Sequence, residues 1–259
     1  MTEQHQHEEE ATCKSPLKYL KMVYAVGDDG RPPHAAVRMV MERLPLLCKK
    51  YLSNFDPKTV KLLDLGCGAT VHNLLTLSKY SENIVMADKN PDALDLLEKF
   101  VKNEKIDFDW SPYVALVAEA EGKTKEEILT RAQQSVKTLS VCDVHQNNCG
   151  LSAEALETGL FDVVTSFGAI LVNCAEEREA KAALANVLAI LKPRGYFLYD
   201  DILQMSTAEA CDSFHGLMLT ADKVKEILAS ASLEILDWHE IQCESDWGEF
   251  LAVCQKKCK

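Results

Sequence analysis

The sequence has no apolar run approaching the roughly 18 residues that a membrane span requires. Its opening, MTEQHQHEEEATCKS, lacks an apolar core and carries acids, which fits neither a secretory signal nor a mitochondrial presequence. A cytoplasmic protein with no membrane partner is the expectation. Positive charge is also scarce: 28 Lys and Arg stand against 40 Asp and Glu, a formal net charge of −12. Nucleic-acid partners need clustered Lys and Arg for the phosphates, and the densest basic stretch, the closing CQKKCK, is too short to serve. The charge is easier to reconcile with a small neutral or cationic substrate. Paired C-x2-C spacings are absent too. The ten cysteines come no nearer to zinc-ligand spacing than Cys142-x6-Cys149 and Cys254-x3-Cys258, so no metal site is expected. Without an export signal they read as reduced thiols that pack like small hydrophobes. His5 and His7 sit in a glutamate-rich tail, residues 1–15, that is expected to be disordered.

What is present is a globular composition, 47% hydrophobic and 26% charged over 259 residues, enough to bury a full core. SPLKYLKMVYAVG predicts a short helix with Ser15 as N-cap, Pro16 in the first turn and Gly27 just past the end. PHAAVRMVMERLPLLCKKYL predicts a second, interrupted or kinked at Pro45. From Val60 strands alternate with helices: TVKLLDL, NIVMAD, KTLSVCDV, LFDVVTSFGAI and GYFLYDDIL as strands, the last begun after a turn from Pro193 to Gly195. NPDALDLLEKFVKNE (N-cap Asn90), TKEEILTRAQQSVKTL (capping box Thr124 to Glu127), EEREAKAALANVLAIL and TADKVKEILASA read as helices. FDWSPYVALVAEAEG suggests a turn and a possible strand. LEILDWHEIQ and WGEFLAVCQ suggest a closing antiparallel pair. The alternation implies a mainly parallel α/β sheet covered on both faces, organised as one domain over residues 16–259, with a helical cap at 16–55 and a Rossmann-like core at 56–259. A monomer is expected.

The sharpest motif is KLLDLGCGAT, residues 61–70. A strand that runs into a glycine turn and then a helix is a nucleotide-site device, because glycines let backbone approach a ligand closely. The dinucleotide fingerprint G-x-G-x-x-G requires a third glycine, and Val71 stands there. It also has no use for an acid two residues before its first glycine, where Asp64 stands. An acid at that point suits the ammonium end of S-adenosylmethionine, which has no pyrophosphate. Asp88, 20 residues past Gly68 at the end of the second strand, is placed to accept ribose hydroxyls. Asp143, ending the third strand, is placed to accept from the adenine amino group. Open α/β sheets bind ligands along this carboxyl edge. A tight turn beside a strand, with the acids as loop solubilisers or caps, remains the plain alternative.

The order YLKMVYAVG, LLDLGCGATVHNLL, FDWSPYV, VCDV, LKPRGYF followed by Asp201, and GEFLAV resembles the small-molecule amine N-methyltransferases, the group of nicotinamide, phenylethanolamine and indolethylamine N-methyltransferases, from about Pro16 to Lys256. The resemblance implies a seven-stranded class I methyltransferase sheet ending in an antiparallel hairpin, with N-terminal helices closing over the ligands. It implies S-adenosylmethionine as cofactor, S-adenosylhomocysteine as product, and an amine or pyridine substrate, with nicotinamide leading. The implied cofactor residues are Tyr19 and Tyr24 on the lid, Asp64, Gly66, Cys67, Gly68 and His72 around the loop, Asp88, Asp143 with Val144, and Phe167.

The reaction implied is in-line attack by a nitrogen lone pair on the sulfonium methyl, with Asp201 as the acceptor-holding, catalytic acid and Asp200 pointing away as its control. His215 and Gly216 fall at the substrate side. The chain departs from its look-alikes at Leu171 and Gln204, where relatives acting on amines place acids. It departs again at Ala208 and Gly216, where the nicotinamide enzyme has a tyrosine and a serine. A protein that binds S-adenosylmethionine but has lost catalysis, acting through protein contacts, is the alternative these departures keep open.

Overall fold

The computed structural model describes residues 15–27, 32, 34–157, 159–204, 216–243 and 247–258. His5 and His7 of the acidic tail, Ala208 and His215 lie outside the described residues. Seven strands form one sheet: β1 (Lys61–Leu65), β2 (Asn83–Asp88), β3 (Val136–Val141), β4 (Phe161–Phe167), β5 (Leu191–Gln204), β6 (Leu233–Gln242) and β7 (Trp247–Lys256). Their order is β3-β2-β1-β4-β5-β7-β6. The first five are parallel, and β7 runs antiparallel to both β5 and β6. The expected seven strands and closing hairpin are therefore present. Chain order reverses between β1 and β4, and a crevice opens beyond the carboxyl ends of strands at such a reversal.

The helices are α1 (Pro16–Val23), α2 (Ala35–Leu52), α3 (His72–Leu77), α4 (Pro91–Val101), α5 (Ser111–Glu121), α6 (Lys125–Ser135), α7 (Ala153–Leu156), α8 (Glu177–Ile190) and α9 (Ala221–Ser230). Side chains along a strand alternate between faces, and the sheet uses both for burial. Leu62, Met86, Val163, Leu198 and Leu251 pack with Leu20 and Val23 of α1 and Leu44 and Leu47 of α2. Leu63, Val85, Val164, Phe197 and Phe250 pack on the other face with Leu184 and Val187 of α8 and Leu228 of α9. Two buried faces explain why KLLDL is an unbroken buried run, without the polar alternation of a half-solvated strand.

Three local expectations are corrected. α2 is one helix with Pro45 inside it, so of the expected interruption or kink the interruption is ruled out. Eight of its side chains, from Ala36 to Leu52, are buried, and that packing offsets the single helical hydrogen bond a proline forfeits. SPYVALVAEAE is a helix, α5, where a turn and possible strand were expected. Its apolar run has no clear period, and such runs are ambiguous between strand and helix. Pro112 in the first turn and left-handed Gly122 at the end set its limits. β5 is paired from Leu191 and so includes the Pro193–Gly195 turn, which appears as an irregularity opposite β4 between Phe161 and Val163.

The caps expected at Asn90 and Thr124 are present, whereas Ser15 makes no side-chain capping bond to α1, which ends at Val23, four residues before Gly27. Asn90 accepts from the Asp92 amide at 3.0 Å. Thr124 and Glu127 exchange both bonds of the capping box, at 3.2 and 2.8 Å. Thr124→Ala should lower the unfolding free energy by about 1 kcal/mol and the melting midpoint by roughly 2–4 °C, leaving ligand affinity unchanged. A denaturation curve superimposable on the wild type would show that this box contributes nothing to stability.

Candidate active site

β1 delivers Asp64 to the sheet edge, and the chain then turns through Gly66-Cys67-Gly68. Gly66 has φ +72° and Gly68 φ +58°, both in the left-handed region that favours glycine. A Cβ on Gly66 would overlap that of Ala169, just past β4. The turn is pinned by its own amides. Gly66 and Cys67 donate to the Ala87 carbonyl at 2.7 and 3.1 Å, and Gly68 donates to Asp88 Oδ2 at 2.7 Å. Asp88 Oδ1 accepts the Asn90 amide at 2.8 Å, so one carboxylate joins the glycine turn to the start of α4.

A cavity of about 460 Å³ lies along this edge, within the size range of small-ligand sites. Every residue expected at a cofactor site lines it: Tyr19, Tyr24, Asp64, Gly66, Cys67, Gly68, His72, Asp88, Asp143, Val144 and Phe167. Thr70, Asn73, Lys89, Asn90 and Cys142 join them, as do Gly168, Ala169, Val172 and Asn173 after β4. Positions differ slightly from expectation: Phe167 is the last residue of β4, and Asp143 lies beyond the end of β3 at Val141.

Asp64 is buried, and its Oδ1 accepts from the Thr165 hydroxyl at 2.7 Å. Burial, with Asp88 nearby, pushes its carboxyl up to about 6 against the opposing effect of that hydrogen bond. Asp143 is the opposite case. The His145 amide donates to its Oδ1 at 3.0 Å and holds the carboxyl below its ordinary value. The Val144 carbonyl accepts from Asn186 at 2.9 Å, which ties this end of the site to α8. The thiol of Cys67 is pushed well up by burial and that of Cys142 up to about 12. Both are neutral packing groups at physiological pH, with free thiols.

His72 opens α3 and is buried. Its ring lies 4.8 Å from that of Tyr24, and 6.4 Å from that of Trp110 at 11° between planes. Tyr113 stands behind, donating its hydroxyl to the Tyr24 carbonyl at 2.8 Å. Burial lowers the His72 imidazole to about 3, so the ring is neutral, and its Nδ1 has no hydrogen-bond partner. Sequence reasoning missed the Trp110 and Tyr113 backing because the segment that carries them did not read as a helix. Tyr19 and Tyr24 sit on α1 and at its C-cap, with rings 6.1 Å apart.

The acceptor-side expectations fare differently. Asp201 is fully buried inside β5, with Tyr199, Phe197 and Phe250 on the face away from α1. Its carboxylate accepts the amides of Ile170 (3.1 Å), Leu171 (2.8 Å) and Ile202 (3.0 Å), and the Tyr199 hydroxyl at 3.2 Å. It therefore anchors the turn after β4 and does not line the cavity. Asp200, expected to point away, faces the α1 side. Gly216 is outside the cavity, and its neighbour Leu217 donates to the Leu171 carbonyl at 3.0 Å. Leu171 is buried in the α8 layer.

This donor set suits a ligand with a cationic amino-acid end, a ribose and an adenine. Asp64, Asp88 and Asp143 line one edge, with Lys89 the one cation there among the described residues, and a pyrophosphate would meet like charge. The His72 Nδ1 in the same lining is a buried polar atom without a hydrogen-bond partner.

Residues 2–255 match the sequence model of the NNMT/PNMT/TEMT family. The chain belongs to that family. Human nicotinamide N-methyltransferase is 30% identical over 237 residues, covering 89% of this chain and 86% of the human one. Mouse indolethylamine N-methyltransferase is 28% identical, covering 75% and 76%. An S-adenosylmethionine-dependent methyltransferase from Clostridium acetobutylicum superposes with TM-score 0.55 at 13% identity, covering 97% of this chain and 99% of that one. The fold is thus that of class I methyltransferases, and the family is one of S-adenosylmethionine-dependent N-methyltransferases.

In this member of the NNMT/PNMT/TEMT family the neutral His72 has a measurable signature. A base whose folded pKa is depressed contributes stability that is present above its unfolded value, near 6.5, and is lost as pH falls toward about 3. The buried acids have raised values and act in the opposite direction. Relative to His72→Gln, the wild type should lose stability between pH 6.5 and 5 by up to about 1.4 kcal/mol per pH unit. Parallel pH–stability curves for the two proteins would mean that His72 titrates normally in the folded state.

Proposed function

We propose that this chain transfers the methyl group of S-adenosylmethionine to a nitrogen of a small molecule, nicotinamide or a related pyridine or amine. The observation that carries the reading is the convergence of three strand-end carboxylates, the glycine turn and the tyrosines of α1 on one cavity. Bound there, S-adenosylmethionine supplies a methyl already activated by its sulfonium charge. In this reading Asp64 holds the ammonium end through its carboxylate, and the Gly66–Gly68 turn flanks the amino-acid portion. Asp88 keeps acceptor capacity beyond its two amide bonds, since a carboxylate offers about four lone-pair sites, and takes the ribose hydroxyls. Asp143 accepts from the adenine amino group while the Val144 backbone meets the ring edge, and Phe167 contributes an apolar wall.

The rest of the chemistry is alignment and exclusion of water, effects that contribute about 7–11 kcal/mol in favourable systems. Tyr19 and Tyr24 cover the cavity from α1 and close it against solvent. His72, being uncharged, lies near a cationic centre without repelling it, and Tyr24, Trp110 and Tyr113 fix its ring. Asp201 has a positioning part only: its bonds to Ile170 and Leu171 set the course of the turn that carries Gly168 and Ala169 to the cavity edge.

A thermal-shift series tests the ligand class, because only a ligand of the native state raises the midpoint. S-adenosylmethionine should raise it and NAD should not. By calorimetry, Asp88→Ala should weaken S-adenosylmethionine about 10- to 100-fold, the value of charge-assisted hydrogen bonds. Asp201→Asn should leave that affinity within a few-fold while lowering thermal stability. Labelled methyl should appear on a nitrogen of at least one member of a pyridine and amine panel. Stabilisation by NAD alone would overturn the cofactor assignment. Firm cofactor binding with no methyl transfer across the panel would overturn the catalytic one and leave a binding protein.

A further inference from the structure

A second pair of acids stands on the α1 side of the sheet, away from the strand-end carboxylates. In the antiparallel ladder of β5 and β7, Asp200 is opposite Leu251 and Ile202 is opposite Glu249. Opposed residues, and residues two apart along a strand, share a face, so Asp200 and Glu249 do so. Leu198 and Leu251, on that face, pack in the cluster that holds Leu20 and Val23 of α1. The face also meets the cavity. Asp200 is opposite Phe167, and its carbonyl accepts the Gly168 amide at 2.8 Å, both of which line the cavity. Tyr24, at the C-cap of α1, lies on the same side; after burial and its tyrosine neighbours, Glu249 and Asp200 raise its hydroxyl further.

Asp200 is only 4% exposed, and its Oδ1 has no hydrogen-bond partner. Its neighbour Asp201 has four. Asp201 thus serves the fold, while Asp200 is kept buried with one oxygen unbonded, directly behind Phe167 and Gly168 of the cavity lining. An unpaired buried polar atom points to a partner that arrives with a ligand.

We propose that Asp200 and Glu249 form the acceptor-side specificity pair, taking the N–H groups of a protonated or N–H-bearing amine and presenting its nitrogen to the methyl donor. The proposal rests on the methyltransferase reading above and narrows its substrate class. Burial raises both carboxyls, Asp200 well above its ordinary range and Glu249 to about 7, and an entering cation favours their ionised forms. An ammonium cannot attack until it sheds a proton, and a carboxylate of the pair takes it. The freed lone pair then forms the N–C bond as the C–S electron pair leaves with sulfur. The positive charge passes from sulfur to the methylated nitrogen, which faces the two acids. They stand in for the acids that amine-methylating relatives carry where this chain has Leu171 and Gln204.

The test compares wild type, Asp200→Asn and Glu249→Gln on benzylamine, phenylethylamine and nicotinamide, together with thermal shifts by each compound in the presence of S-adenosylhomocysteine. Each variant should lower the amine-to-nicotinamide ratio of kcat/KM about 10- to 100-fold, mostly through KM, with S-adenosylmethionine affinity unchanged. Each should also abolish the amine-induced shift. An unchanged ratio overturns the proposal, as does an equal loss on all acceptors accompanied by a fallen midpoint, the mark of a purely structural pair. If the wild type methylates nothing, the shift decides. Stabilisation by amines that is lost in the variants supports the pair while sinking the catalytic reading, and no stabilisation by any amine overturns the pair.

Discussion

The hydrogen bonds of one carboxylate govern the shape of the site. Asp88 closes β2 and holds the Gly68 amide on one oxygen and the Asn90 amide on the other, at 2.7 and 2.8 Å. This fixes the glycine turn against the start of α4. The Ala87 carbonyl completes the link by taking the Gly66 and Cys67 amides. With the turn held there, Gly66 meets Ala169 so closely that no side chain fits between them, and the ends of β1, β2 and β4 become one continuous wall. A single acid at a strand end thus defines the cavity's shape and remains available at its edge.

The second constraint is that the sheet is buried on both faces. A side chain on β5 must choose between the α1 layer and the α8 layer, and at Asp200 and Asp201 that choice separates two chemically identical residues. Asp201 enters the α8 layer and is satisfied there by backbone amides, which makes it part of the framework. Asp200 faces the α1 layer with an oxygen left over. Buried acids that are fully bonded stabilise a particular geometry, whereas buried acids that are not are costly without a ligand.

This choice also marks where the sequence stops being informative. The sheet, its closing hairpin, the caps at Asn90 and Thr124, and the cavity lining from Tyr19 to Phe167 were all legible, because each follows from a local pattern or from the resemblance it carries. The face taken by each member of an Asp-Asp pair was not. Alternation assigns opposite faces to neighbours but cannot say which is which when both are acids in an apolar strand. Glu249 did leave a trace, as a lone acid in the otherwise apolar GEFLAV. The Trp110 and Tyr113 wall behind His72 escaped for another reason: an apolar run without period hides its secondary structure, and which helix face meets His72 is a tertiary fact. Whether the second helix breaks at Pro45 or runs through it was left open by the sequence, and its eight buried side chains decide for continuity.

The carboxyl edge of β1, β2 and β3 is the proposed S-adenosylmethionine site. A crystal structure of the protein with S-adenosylhomocysteine tests it most directly. Adenine should lie beside Asp143 and Val144, the ribose hydroxyls about 2.5–3.0 Å from the Asp88 carboxylate, and the amino-acid end at Asp64 and the glycine turn. Density for the ligand in another cavity, or in this one with adenine at Asp64, would contradict it.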